Sequence, residues 1–256
     1  MKSLIKKIAN HNIGIALRNS FSIRPLAISV NNLVSASVSD AFAWRTDNNF
    51  KTKFKYTDIL NIFYKIENSW IEIHFYSKNN KLIKKKRYKD LDLSNEIDID
   101  SDYLDGIKDY GVFYIYHHSE NNIEEDNIIA NRCYLGYSHN QNLYSFVHGN
   151  TLAKATKIIK GSKIINNLIK ISLFKNQHYI IQKNFSNFDK SELFFSNPTS
   201  KIIKFSIDTN SYILKPGYSK LINIRNKDII HIKSNCLFLR PTVFSYKDTY
   251  LDVHHS

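Results

Sequence analysis

The chain has 256 residues, of which 43% are hydrophobic and 13% aromatic, and this composition excludes a disordered protein. Its 36 basic and 23 acidic residues leave a net charge of +13. Such an excess suits nucleic acid or an anionic membrane, but Lys far outnumbers Arg, whereas readers of phosphates and bases favour Arg forks. We therefore expect the charge to reflect a general Lys-rich composition, and a nucleic-acid partner is disfavoured.

The two cysteines, Cys133 and Cys236, cannot form a disulfide framework and do not have CxxC spacing. A reducing compartment is the simpler interpretation. The N-terminal residues lack the continuous apolar run of a secretory signal, and no stretch approaches the length of a membrane-spanning helix. These features predict a cytoplasmic protein.

Residues 1–26 are predicted to form an N-terminal arm or a short amphipathic helix, with Leu4, Ile5 and Ile8 on one side. A basic amphipathic segment can touch a membrane surface weakly, although docking on its own domain is favoured.

Residues 27–150 are predicted to form a first β unit. Apolar and basic residues alternate from Phe50 to Tyr56, which indicates a half-exposed strand. The segments Trp70–Tyr76 and Leu82–Tyr88 are predicted to form a hairpin, and Gly111–Tyr116 is predicted to be a buried central strand.

Residues 151–172 are ambiguous between helix and strand and are treated as a connector. Residues 173–256 repeat the first pattern, with short apolar runs separated by turn signals such as Pro216-Gly217. Together, the patterns of these segments predict an all-β fold with a minor α contribution. We expect two tandem antiparallel β-sandwich-like units, whose spacing resembles that of Ig-like or jelly-roll modules.

Phosphate-binding motifs are missing from the sequence. No GxxxxGK[ST], GxGxxG or GxSxG occurs, and the chain has only seven glycines. No cofactor is predicted.

Arginine is scarce in this Lys-rich chain, so each Arg is a candidate for a position where the planar guanidinium forms bidentate hydrogen bonds. We predict a polar ligand site formed by Trp44, Arg45, Arg132, His148, Asn150 and Arg240. The guanidinium groups would pair with a carboxylate, phosphate or acidic sugar, and the indole would cover a ring. The alternative is that these arginines form internal ion pairs with Asp40, Asp47 or Asp252, and this alternative is favoured.

Histidine and aspartate near the C-terminus suggest a second kind of site. Asp252 and His254 lie two residues apart, so on a strand they would point to the same face. With His148 they could hold a metal or act in acid–base catalysis. Ordinary surface histidines are the favoured alternative, because no recognised ligand spacing is present.

Three functional hypotheses follow. The first is a non-catalytic binding protein for a glycan, an acidic small molecule or a protein partner, which binds through loops at one end of a sheet. The second is an enzyme, with or without a metal, that uses His148, Asp252 and His254 on a carbohydrate-like substrate. The third is a nucleic-acid binder that uses the run Lys84–Arg87. We predict the first.

Overall fold

The computed structural model describes residues 11, 13, 14, 17, 35–121, 123, 127–131, 133–159, 166–169, 171–182, 185–225, 227–236 and 239–255. The predicted N-terminal arm (1–26) therefore lies almost wholly outside the described residues. Strands make up 57% of the structure and helices 6%, so the prediction of an all-β chain with minor α content is confirmed. None of the described helices is long and apolar enough to cross a membrane.

The strands are numbered in chain order. The first ten are β1 Ser35–Arg45, β2 Phe50–Tyr56, β3 Ser69–Ser77, β4 Leu82–Tyr88, β5 Asn95–Ile99, β6 Tyr110–Ser119, β7 Asn127–Asn131, β8 Tyr134–His139, β9 Ser145–His148 and β10 Asn150–Lys157. The others are β11 Asn166–Asn167, β12 Gln177–Gln182, β13 Lys190–Ser196, β14 Ile203–Ile207, β15 Asn210–Leu214, β16 Ser219–Ile224, β17 Ile229–Ser234, β18 Thr242–Lys247 and β19 Tyr250–His255. The helix α1 spans Ile59–Tyr64, and a 3-10 turn spans Phe185–Asn187.

The strands form four sheets. Sheet one has the order β11-β10-β1-β6-β3-β4, with β7 parallel to β1, and sheet two has the order β5-β2-β8-β9. Sheet three is β16-β13-β18-β19, and sheet four is β12-β17-β14-β15. All pairings between strands other than β1–β7 are antiparallel in the described part of the chain.

The expectation of two tandem β-sandwich units is wrong. The four sheets are arranged as a four-bladed, propeller-like ring. The physical reason lies in sheet three, which is apolar on both faces. Phe194 and Phe244 pack into the same core as Phe113 of sheet one, whereas Leu193 and Val243 pack into the core of sheet four. The C-terminal half therefore shares its core with the N-terminal half, which separate sandwich modules would not do.

Local strand predictions agree with the structure. In β2 the side chains of Phe50, Thr52, Phe54 and Tyr56 are buried, and the intervening lysines point away from the core. Strands β3 and β4 form the predicted hairpin. β6 lies between β1 and β3 and is buried over nearly its whole length, as expected for a central strand. Part of the predicted connector is β10, which pairs with β1.

Candidate functional site

Trp44 does not form a platform for a ligand, because its side chain is completely buried. Its indole Nε1 donates a hydrogen bond to the backbone oxygen of Tyr76, at 2.9 Å. The ring lies directly against the neighbouring strand at Gly111, where an added Cβ would be 2.8 Å from Nε1. Trp44 thus fills the interior of the fold and anchors β1 to β3.

Arg45 is equally buried, with 1% of its surface exposed. Its guanidinium forms a two-point contact with Asp47, in which Nε lies 3.0 Å from Oδ1 and Nη2 lies 2.7 Å from Oδ2. Nη1 donates to Glu192 Oε2 at 2.6 Å and to the Tyr246 hydroxyl at 3.2 Å. The guanidinium carbon also lies 3.9 Å from the centre of the Phe50 ring.

This network joins the two halves of the chain, because Glu192 belongs to β13 and Tyr246 to β18. Burial alone would raise the pKa of Glu192, but Arg45, Lys190 and Tyr246 lower it to about 2. Burial disfavours the Arg45 cation, yet the hydrogen bond and charge of Asp47, with the other partners, hold the pKa of Arg45 above its usual value. The internal ion pair with Asp47, anticipated as the alternative, is present.

The other predicted ligand residues do not complete a site around Trp44 and Arg45 in the described part of the chain. Arg132 is outside the described residues. The Asn150 amide donates to the backbone oxygen of Arg240, so these two residues are close, but through the Arg240 main chain. The His148 ring packs on Tyr134 with ring centres 4.4 Å apart, and the His148 backbone oxygen pairs with His255 Nε2.

Asp252 and His254 do share a face of β19, as the two-residue spacing predicts. Their side chains are about one-third exposed, and His254 Nδ1 lies 3.5 Å from Asp252 Oδ2. Within the described ranges, however, no cluster of three or more His, Cys, Asp or Glu side chains has the arrangement of a metal site. The described residues therefore provide a His–Asp pair on β19 and no group of three ligands of the kind that the metal hypothesis needs.

The basic run Lys84–Arg87 lies on β4, at the edge of sheet one. Lys85 Nζ and Arg87 Nη2 contact the two oxygens of Glu72 at 2.7 Å and 2.6 Å. Lys84 is paired with Asp105 at 2.7 Å. Three of the four basic side chains are therefore paired with two carboxylates of the chain itself, Glu72 and Asp105, which agrees with a solvated sheet edge.

We predict that stability falls in acid because of Glu72 and Glu192. Burial would raise the pKa of Glu72, but Lys85, Arg87 and His74 lower it to about 2, as Arg45 and its neighbours do for Glu192. Both pKa values are depressed on folding, so their contribution is complete above about pH 4.5 and is lost as the pH falls towards 2. Urea unfolding between pH 7 and 2 should show this decline, and Glu192→Gln should make it shallower. A flat profile below pH 4.5 would contradict the prediction.

A feature that the sequence did not reveal is an open groove of about 1050 Å³ on sheet four. Its lining includes the outward residues Lys204 of β14, Ile213 of β15 and Lys233 of β17. The segment before β12 adds Leu173, Phe174 and Lys175. The alternation Ile203-Lys204-Phe205-Ser206-Ile207 indicates that Lys204 points outward. Only the sheet order brings Lys233 to the same face, where it stands opposite Ser206, two residues from Lys204.

The groove combines positive charge with exposed apolar surface. Among the described residues, its lining contains the four lysines Lys175, Lys201, Lys204 and Lys233 and no Asp or Glu. Leu173, Phe174 and Ile213 are 60%, 74% and 63% exposed. Such a surface can attract an anion through the ammonium groups and cover an apolar chain at the same time.

Comparisons with protein-family models, with curated proteins and with solved structures find no match for this chain.

Proposed function

We propose that this protein is a non-catalytic binding protein whose ligand is an anionic amphiphile, a carboxylate or phosphate carried on an apolar chain. The ligand lies in the groove on sheet four. The observation that carries the proposal is the described part of the lining, which has four lysines, exposed apolar side chains and no carboxylate. This retains the predicted class of ligand, an acidic small molecule, and moves its site from the sheet-end loops to a sheet face.

The lysines of the groove differ from many lysines elsewhere in the structure. Lys53, Lys78 and Lys84 each contact a carboxylate at 3.0 Å or less. In the described part of the chain, no carboxylate forms an ion pair with Lys175, Lys201, Lys204 or Lys233. An incoming anion would therefore meet uncompensated charge without displacing an internal partner.

The apolar side chains favour a ligand with a hydrocarbon part over a bare anion. Ile213 stands directly across from Lys204 in the β14–β15 pair, so a charged and an apolar contact are neighbours on the same face. Leu173 and Phe174 extend this apolar surface at one side of the groove. Burial of these carbons against a chain contributes roughly 25 cal/mol per Å² of apolar area removed from water.

The test is a titration of the full-length protein with dodecyl phosphate below its micelle concentration. We expect Lys204→Ser/Lys233→Ser to weaken binding at least tenfold, and Ile213→Ser to weaken it as well, because charged and apolar contacts are both lost. Lys51→Ser/Lys86→Ser is the matched control, since it removes the same charge from exposed positions on sheets two and one. Isothermal titration calorimetry measures each affinity.

Two outcomes would overturn the proposal. Equal weakening by the control variant would show that binding follows net charge alone. Equal affinity for inorganic phosphate would show that the apolar surface has no role in recognition. Equal affinity for the cationic dodecyltrimethylammonium would show that the lysines have none.

A further inference from the structure

The outward face of sheet two carries two aligned rows of side chains. In the first row, Asp98 of β5 stands opposite Lys53 of β2. Lys53 in turn stands opposite Gly136 of β8, and Gly136 stands opposite Phe146 of β9. The residues on either side of Lys53 in β2 are completely buried, so the row lies on the face that is turned away from the core.

The second row runs beside the first, two residues away on each strand. Glu96 stands opposite Lys55, and Lys55 stands opposite Tyr134. Tyr134 in turn stands opposite His148. The two rows divide the face into an ionic half on β5 and β2 and an aromatic half on β8 and β9.

The aromatic half is open to solvent. Tyr134 and Phe146 are 50% and 45% exposed. The Phe146 ring lies directly against the backbone at Gly136, where an added Cβ would be 2.6 Å from Cε1 and 2.8 Å from Cζ. The Tyr144 ring extends this surface, with its centre 6.0 Å from that of Phe146 and an angle of 36° between the planes. We call this surface the aromatic platform; it consists of Tyr134, Tyr144, Phe146 and His148.

The ionic half borders the platform with balanced charges. Lys53 Nζ lies 3.0 Å from Glu96 Oε1 and 2.9 Å from Asp98 Oδ1, and Lys55 Nζ lies 3.6 Å from Glu96 Oε2. The same ammonium groups reach the edge of the platform, because Lys53 Nζ is 5.6 Å from the centre of the Tyr144 ring and Lys55 Nζ is 5.4 Å from that of Phe146. Hydrogen-bond donors and acceptors therefore stand beside exposed rings, and the two lysines are compensated by two carboxylates.

We propose that this face of sheet two is a second binding site, separate from the groove on sheet four, and that its ligand is a neutral oligosaccharide. A pyranose ring has C–H bonds on its faces and hydroxyl groups around its rim. Its face can pack on the aromatic platform while its hydroxyls bond with the neighbouring ammonium and carboxylate groups.

The charges of the ionic half decide between a sugar and a nucleic acid. Bases of a single strand also stack on exposed aromatic rings, but such proteins follow the phosphates with uncompensated positive charge. Here Glu96 and Asp98 hold Lys53 and would repel a phosphate. A neutral ligand meets no such repulsion.

The experiment applies the full-length protein to an array of immobilised neutral oligosaccharides built from glucose, mannose, galactose or N-acetylglucosamine. We expect binding to at least one series, and titration calorimetry then measures the affinity for its best member. Phe146→Ala and Tyr134→Ala should each weaken that affinity about tenfold, because each removes part of the platform. Phe63→Ala is the matched control, since it removes an aromatic side chain that is 72% exposed on α1, and it should change nothing.

Two further variants test the arrangement of the face while keeping its aromatic side chains. Gly136→Ala displaces the Phe146 ring and should weaken sugar binding, with circular dichroism used to check that the fold is retained. Glu96→Gln/Asp98→Asn frees the lysines, so it should weaken sugar binding and create salt-sensitive binding of oligothymidylate. Phe146→Ala should keep the wild-type affinity for dodecyl phosphate, which separates this site from the groove.

Three results would overturn the proposal. The first is that the wild type binds none of the neutral oligosaccharides. The second is that Phe63→Ala weakens binding as much as Phe146→Ala does. The third is that the wild type binds oligothymidylate more tightly than every sugar, which would assign the face to a single-stranded nucleic acid instead.

Discussion

Arg45→Met is expected to destabilise the protein by about 3–5 kcal/mol, because it leaves Glu192 buried and without its main cation. The variant also loses the two-point contact with Asp47 and the bond to Tyr246. For a chain of this length, that change corresponds to a fall in Tm of roughly 10 °C. Thermal unfolding followed by circular dichroism measures it.

The matched control is the double variant Arg45→Met/Glu192→Met, which removes both buried partners. It should recover part of the lost stability, because in Arg45→Met the buried Glu192 carboxylate keeps Lys190 and the Tyr246 hydroxyl but loses the buried Arg45 cation. Asp47 is partly exposed and can be solvated after Arg45 is removed. If Arg45→Met unfolds at the same temperature as the wild type, the network does not hold the two halves together.

Trp44→Ala should cost about 3–5 kcal/mol, because it removes a fully buried indole and leaves a cavity against Gly111. Trp44→Phe keeps most of the ring volume but loses the bond to the Tyr76 oxygen, so a smaller loss of about 1–2 kcal/mol is expected. Urea unfolding gives both values. The comparison separates packing from the hydrogen bond.

The structural role of Trp44 also predicts that this residue does not affect ligand binding. Binding of dodecyl phosphate to the groove should be the same in Trp44→Phe and in the wild type at a temperature where both are folded. A tenfold loss of affinity in Trp44→Phe, with stability unchanged, would contradict the structural role assigned to this residue.

The local character of the strands could be read from sequence because side chains in a strand alternate between two faces. The pattern Phe50, Thr52, Phe54 and Tyr56 needs no distant contact to predict which side of β2 is buried. The scarcity of arginine likewise singled out Arg45, and the alternative of an internal ion pair with Asp47 was available from sequence proximity.

The candidate binding groove could not be predicted in the same way. Its lysines come from strands β14 and β17 and from segments outside them, and they become neighbours only through the order of sheet four. The tertiary arrangement also determined the ion pairs of Arg45, whose partner Glu192 lies 147 positions away in the sequence. Nothing in the local pattern around either residue indicates the other.

The sequence by itself determined the all-β class, the hairpin of β3 and β4 and the buried course of β6, because these depend on periodicity within a few residues. Only the tertiary structure decided that four sheets form a ring, and not two separate sandwiches. The physical reason is sheet three. Its strands β13 and β18 bury apolar side chains on both faces, and alternation alone does not specify which sheets cover those faces.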